Sequence, residues 1–331
     1  MNEKIDYTAV VRTLGTAGEK YQKLLNSLIL QTVKPKDIIV YIAEGYPLPK
    51  ETVGIERYVY VKKGMVAQRA LRYDDVKTEY ILFLDDDLEF PSDTIERMFQ
   101  LLSEYNADVI SPDIFPNSKR SLKSEVLMTI SGRMRGRIND KIWGYKVMSN
   151  AGYSYNKNPE QDAYFSQTNA GACFLCHKSD FLKINLEEEL WLDNMPYPLG
   201  EDQVMYYKMY CKGLKQITWY THKIVHLDAG NNTSKEKVCM RLYGDVYFKI
   251  VFWHRFIFLS TSSWLKKLWS FLCILYYLLF TMMMSVLRFD KKVLKSKWKG
   301  MMDSLSFINS SEYNSLPIIK KYEYNTNCFC F

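Results

Sequence analysis

The sequence predicts an α/β fold: a Rossmann-like, mainly parallel sheet with helices on both faces, followed by a helical carboxy-terminal region. Three observations point there. Strand and helix signals alternate through the first hundred residues. Three consecutive acids, Asp85, Asp86 and Asp87, end one predicted strand, and Leu268–Leu287 runs for 20 residues without a charge. Alternating strands and helices imply right-handed crossovers and parallel neighbours.

Each element has its own signal. Tyr7–Arg12 (YTAVVR) is apolar and β-branched, a first strand. Glu19–Gln31 places Tyr21, Leu24, Leu25, Leu28 and Ile29 on one stripe, the mark of an amphipathic helix. Lys34-Pro35 breaks it, and Asp37–Ile42 (DIIVYI) predicts a second strand. Arg57–Val61 predicts a short third strand, Met65–Tyr73 a helix, Tyr80–Leu84 a fourth strand, Asp93–Tyr105 a helix and Asp108–Ser111 a strand. From Ser118 to about Pro159 the chain is rich in Arg, Lys, Gly, Ser and Asn without a clean period, which predicts a loop-rich segment over a pocket. Ala170–Leu175 is strand-like again, Gly200–Lys212 a helix, and Ile217–Tyr220 and Ile224–Leu227 late strands.

At 331 residues the chain can hold one large domain and an appendage. With 47% hydrophobic and 24% charged residues, no disordered segment dominates. The net charge of +7 is concentrated late, at Lys266 and Lys267 and again from Arg288 to Lys299. Those clusters bracket the uncharged run, a pattern suited to anionic lipid headgroups and not to nucleic acid. The division expected is 1–235 for the α/β domain and 236–331 for a helical, membrane-associating region. Leu268–Leu287 is long enough to cross a bilayer core. Both its flanks are basic, however, and both therefore ask for the cytoplasmic side. A helix lying in the interface, or a re-entrant pair with Val246–Leu259, satisfies both. Seven scattered cysteines, with Cys173 and Cys176 at CxxC spacing but no second pair at zinc-site spacing, predict free thiols in a reducing compartment. The first residues, MNEKIDYTAVV, carry no apolar stretch of signal-peptide length, so the expectation is the cytoplasmic face of the membrane.

The acidic triplet stands where its strand leaves the core. Like charges this close repel unless a cation neutralises them, and a divalent metal does so well. In open α/β sheets, ligands bind just outside the carboxyl ends of strands.

Four segments in order, TAVVRTLG, SLILQTVKPKDIIVYIAEG, MVAQRALRYDDVKTEYILFLDDD and GEDQVMYYKMYCKG, resemble the family 2 glycosyltransferases, inverting enzymes of the GT-A fold. The resemblance runs from about Tyr7 to Asp228. It implies a metal-dependent transfer of one sugar from a nucleotide-sugar, UDP-linked as the leading guess, to a hydroxyl of a glycan or lipid-linked acceptor. Mn²⁺ or Mg²⁺ would stabilise the departing diphosphate. Asp87 matches the last acid of the D-x-D motif and is implied as a metal ligand. Asp85 matches the first, a contact to the ribose or, through water, to the metal. Asp86 points elsewhere or assists the nucleotide. Thr13, Glu44 and Arg69 match base and ribose contacts. Asp202 matches the second acid of the late E-D element and is the candidate base, with Glu201 binding or orienting the acceptor. His226, and less well His222, falls where some members place a metal-binding histidine, and Asn169, Gly171 and Trp191 are candidates for the sugar pocket. Ala43 and Ala70 depart from the Asp and Asn the family often has, so the nucleotide pocket is expected to differ in detail.

Two other classes compete. A nucleotidyltransferase would want a Gly-rich phosphate loop after the first strand, where Gly15 and Gly18 are sparse. An inactive glycosyltransferase-like membrane adaptor would have lost its acids, whereas Asp85, Asp87 and Asp202 are present.

Overall fold

The structure, a computed structural model, describes residues 6–114, 121–138, 140–227 and 234–322. Asp228, Cys328 and Cys330 lie outside the described residues; the other five cysteines are free thiols.

Thirteen strands and nine α-helices are described. The strands are β1 (Tyr7–Thr13), β2 (Asp37–Ala43), β3 (Glu56–Val61), β4 (Tyr80–Asp85), β5 (Leu88–Glu89), β6 (Val109–Pro112), β7 (Met134–Arg137), β8 (Tyr145–Val147), β9 (Tyr153–Asn156), β10 (Ala163–Phe165), β11 (Cys173–His177), β12 (Gln216–Trp219) and β13 (Val225–His226). The helices are α1 (Glu19–Ile29), α2 (Thr94–Glu104), α3 (Leu122–Ile130), α4 (Lys178–Leu182), α5 (Glu201–Cys211), α6 (Lys235–Phe252), α7 (Trp264–Leu287), α8 (Lys291–Ile308) and α9 (Ser311–Asn314).

The main sheet has eight strands in the order β10-β12-β6-β11-β4-β1-β2-β3. Four of its seven pairings are parallel: β1 with β2 and with β4, β2 with β3, and β6 with β12. Strand alternation sorts its side chains between two cores. Tyr7, Ala9 and Val11 of β1 join Leu24, Leu28, Met98 and Phe99 beneath α1 and α2. Val10, Ile39 and Phe83 join Phe174, Val204, Met205, Phe248 and Phe252 beneath α5 and α6. Helices therefore cover both faces, as the alternation predicts, and α6 is built into the second core.

Two stretches differ from the sequence expectation. Met65–Tyr73 is a turn segment and not a helix. Its helical hydrogen bonding stops after about one turn, with Ala70 N–H donating to Val66 O at 2.7 Å. The N–H groups of Val66 and Ala67 donate instead to the Asp193 carboxylate at 2.8 and 2.9 Å, and Tyr73 turns the chain through a positive φ of 55°. The segment expected to be loop-rich contains α3 and a three-stranded sheet, β7-β9-β8. Its strands are three or four residues long and α3 buries no residue, so neither leaves a periodic signature.

α7 is the one described helix long and apolar enough to cross a membrane, and only 22% of its most apolar stretch is buried. It packs through Ile274, Tyr277 and Ser270, leaving Trp264, Trp269, Leu279 and Leu287 more than half exposed.

Candidate active site

β1 and β4 lie side by side in parallel, with Arg12 in register with Asp85. Both end at the same edge of the sheet, so Thr13 and the acidic triplet open into one cleft of about 710 Å³. Arg12, Lys20, Lys63, Gln68 and Asp193 also line it. The cleft therefore carries both cationic groups (Arg12, Lys20 and Lys63) and carboxylates.

The three acids are placed differently. Asp85 is clamped by Arg12, whose Nε and Nη2 donate to its two oxygens, the second at 3.1 Å. Arg69 Nη2 approaches Asp85 Oδ1 at 3.4 Å. Burial opposes the Asp85 charge, but Arg12 and Arg69 outweigh it and hold the carboxyl below the usual range. Asp86 accepts from the Thr13 hydroxyl, which itself accepts from Gly15 N–H at 2.8 Å. Burial, reinforced by the charges of Asp85 and Asp87, pushes the Asp86 carboxyl up to about 6 despite that hydroxyl. Asp87 precedes the antiparallel β5–β13 pair, where Leu227 N–H donates to Asp87 O at 2.8 Å. That pairing brings His226 Nε2 to 3.4 Å from Asp87 Oδ1.

Behind the cleft lies a buried charge bridge. Arg69, 2% exposed, reaches Glu201 Oε1 at 2.6 Å, Asp202 Oδ1 at 3.3 Å and the carbonyl of Gly171 at 2.7 Å. Arg12 Nη1 meets the other Glu201 oxygen at 3.3 Å. Burial pushes the Glu201 carboxyl up to about 7, against the pull of both arginines. Glu201 and Asp202 form the first turn of α5, where the helix dipole favours acids. Two glycines make room for them. A Cβ on Gly200, at φ +86°, would sit 2.4 Å from the Phe248 ring, and one on Gly171 would sit 2.1 Å from Asp202 Oδ1 and 2.6 Å from Arg69 Nη1.

Asp202 is 39% exposed and lines a second cavity of about 220 Å³ with Asp113, Tyr145, Tyr153, Asn169 and Gly200. Asp113 is buried and accepts from the Tyr145 hydroxyl at 2.9 Å. Burial pushes its carboxyl up to about 6.

Of the residues expected at the site, Thr13, Asp85, Asp86 and Asp87 line the cleft, His226 adjoins Asp87, and Asp202 and Asn169 share the second cavity. Arg69 and Glu201 are enclosed in the bridge, where they hold other site groups in place. Glu44 is exposed past the end of β2 and does not line the cleft. Trp191 is buried and donates from Nε1 to Glu189 at 2.7 Å, and His222 Nδ1 accepts from Ile224 N–H at 3.1 Å, both structural uses. Sequence reasoning missed Arg12, Gln68, Asp113 and Asp193. Gln68 Nε2 donates to Thr13 O at 3.1 Å, tying the turn segment to the end of β1. Only Arg12 gave a signal, as a charge inside an otherwise apolar strand.

Among the described residues, no group of three or more His, Cys, Asp or Glu side chains is gathered as a metal site. The chemistry of the donor set still fits Mn²⁺ or Mg²⁺. Such ions are commonly held by one or two carboxylates plus substrate phosphates; Asp87 supplies one, with the His226 imidazole beside it, in a triplet whose crowding a cation would relieve.

Among solved structures, S. aureus TarS 1–349 in complex with UDP-GlcNAc matches at 12% identity and TM-score 0.45, over 95% of this chain and 82% of that one. GalNAc-T7 with UDP, GalNAc and Mn²⁺ matches at 12% identity and TM-score 0.47, over 94% of this chain and 59% of that one. No curated protein matches the sequence. Residues 57–177, which hold β4 and the acidic triplet, match the family model described as Glycosyl transferase family 2, so this stretch of the chain is similar to that family.

Proposed function

We propose that the cleft binds a nucleotide-sugar, a UDP-sugar as the leading candidate, and that one sugar is transferred with inversion to a hydroxyl of a glycan or lipid-linked acceptor. The observation that carries this is that one buried arginine, Arg69, bonds an acid of each of two cavities. Asp85 faces the cleft, Asp202 faces the second cavity, and Arg69 touches both. Inverting displacement needs a base on the side opposite the leaving group, and Asp202 is the residue proposed for that role.

In the step proposed, the Asp202 carboxylate takes the proton of the acceptor hydroxyl. The hydroxyl oxygen forms a bond to the anomeric carbon as the bond from that carbon to the phosphate oxygen breaks, and the diphosphate leaves with the electron pair. Lys20, Lys63 and Arg12 line the cleft and would offer cationic groups to the diphosphate. Asp87 and His226 would hold a divalent cation, which supplies charge neutralisation for the diphosphate. Arg69, bonded to Gly171 O, holds Asp202 in orientation. The proposed location is the cytoplasmic face of a membrane, supported by the exposed apolar side of α7.

A donor panel tests this, with nucleotide release measured with and without Mn²⁺ or Mg²⁺ for the parent, Asp87→Ala and Asp202→Asn. The expected result is release by the parent, loss of metal stimulation in Asp87→Ala, and donor binding without transfer in Asp202→Asn. If no nucleotide-sugar is bound or hydrolysed and neither substitution has an effect, the reading fails.

A further inference from the structure

The small sheet β7-β9-β8 has two faces of opposite character. Met134, Tyr145 and Tyr153 point toward the cavity that holds Asp202. The alternate residues Arg135, Arg137, Lys146 and Ser154 line a separate groove of about 700 Å³. The other wall of that groove is α7, through Trp269, Leu272, Cys273 and Tyr276, whose spacing puts them on one helix face. The Tyr276 hydroxyl donates to Ile130 O at 2.7 Å, which holds α7 against the segment leading into β7. One wall is therefore cationic and the other apolar and aromatic. The described lining contains no acid, although Arg137 Nη1 also pairs with Asp140 at 2.7 Å. The apolar wall continues into the exposed Leu268, Leu275 and Leu279.

We propose that this groove holds the lipid anchor of the acceptor, with its phosphate or diphosphate on Arg135 and Lys146 and its hydrocarbon chain along Trp269, Leu272 and Tyr276. This rests on the proposed glycosyltransferase reading and names the acceptor's class. Charge complementarity selects an anionic head, because guanidinium and ammonium groups beside apolar surface bind phosphate strongly. Tryptophan and tyrosine at the groove suit the boundary between headgroup and chain. Continuity with the Asp202 cavity selects the acceptor over a bulk membrane lipid. Met148, Ser149 and Asn150, in the turn joining β8 to β9, line the groove. The same turn is tied to α5, since Gln203 Nε2 donates to Ala151 O at 3.0 Å. Gln203 follows Asp202 and lines the Asp202 cavity. A glycan attached to a phosphate in the groove therefore crosses one turn to reach the base.

The test uses the full chain in neutral detergent micelles, with farnesyl phosphate as probe and farnesol and inorganic phosphate as controls, read by tryptophan fluorescence and competition. Variants are Arg135→Glu with Lys146→Glu, and Trp269→Ala; all three positions lie outside the catalytic residues. Expected are saturable binding of farnesyl phosphate, about tenfold or more weaker binding of either control, and a similar loss in each variant. Nucleotide release from the donor stays at the parent's level in both variants, which also reports that they are folded. Equal binding by parent and variants overturns the proposal. So does a loss confined to phosphatidylcholine vesicles containing phosphatidylglycerol with farnesyl phosphate binding unchanged, which would make the groove a membrane-docking patch. Absence of nucleotide release in the parent would defeat the donor reading alone and leave the binding comparison standing.

Discussion

Gly171 shows how much of the site depends on an absent side chain. A methyl there would overlap Asp202 Oδ1 and Arg69 Nη1, moving Asp202, the proposed base. Gly171→Ala is expected to lower kcat by about 10²-fold, the size of effect that misplacement by about 1 Å produces, with donor affinity nearly unchanged; steady-state kinetics beside nucleotide binding separates the two. Asp113 supplies a pH prediction. Burial raises its carboxyl to about 6, so the folded chain holds this proton more tightly than the unfolded one. Its contribution is full below the ordinary carboxylate range near about 4 and is lost as pH rises through about 6, a difference of roughly 2–3 kcal/mol. Thermal midpoints of the parent against Asp113→Asn across pH 4–8 should show that part of the profile flattened in the variant. An unchanged profile would mean Asp113 ionises normally.

At the scale of elements, the turn segment from Gly64 to Tyr73 matters most, because Gln68 and Arg69 both hang from it. Its first N–H groups are held by Asp193, which comes from the 3₁₀ segment Leu186–Asn194. Asp193→Ala removes what is in effect a helix N-cap, costing about 1 kcal/mol. The larger expected effect is on activity, since the displaced turn carries Arg69 away from Asp202. Hydrogen exchange should show faster exchange at Val66 and Ala67 in the variant, together with reduced transfer. The α5 start makes a similar demand. Gly200 adopts a left-handed conformation against the Phe248 ring, so α6 can lie against the start of α5 only because that residue has no side chain.

At the scale of the whole molecule, a buried ion cluster joins the α/β sheet to the carboxy-terminal helices. Glu189, fully buried, meets Lys208 of α5 at 3.0 Å and Arg255 at 2.8 Å. Arg255 sits in the π-helical turn Trp253–Phe258 that follows α6, and it also donates to Pro317 O at 2.9 Å. Removing one partner of such a cluster leaves buried charge uncompensated, so Glu189→Ala is expected to cost about 3–5 kcal/mol, measured by denaturant unfolding. Burial opposes the Glu189 charge, yet Lys208 and Arg255 hold its carboxyl below the usual range. Its stabilisation is therefore present above the ordinary glutamate range and lost as pH falls through the depressed value, the reverse of Asp113. The exposed apolar side of α7 predicts that the chain resists extraction from membranes by high salt and is released by detergent. Release by salt alone would favour headgroup contacts.

The sequence by itself determined the α/β alternation, the strand ends that carry Thr13 and the acidic triplet, and the apolar run that becomes α7. Each is a local pattern of two or of 3.6 residues, or an uninterrupted run, and such patterns need no partner to be legible. Tertiary structure decided what those residues do. Arg12 clamps Asp85 because β1 and β4 are parallel neighbours in one register. His226 meets Asp87 because the short antiparallel pair β5–β13 joins segments far apart in the chain, and Arg69 is buried because Glu201 and Gly171 close over it. These contacts depend on strand order and on side chains meeting across loops, and no local periodicity encodes either.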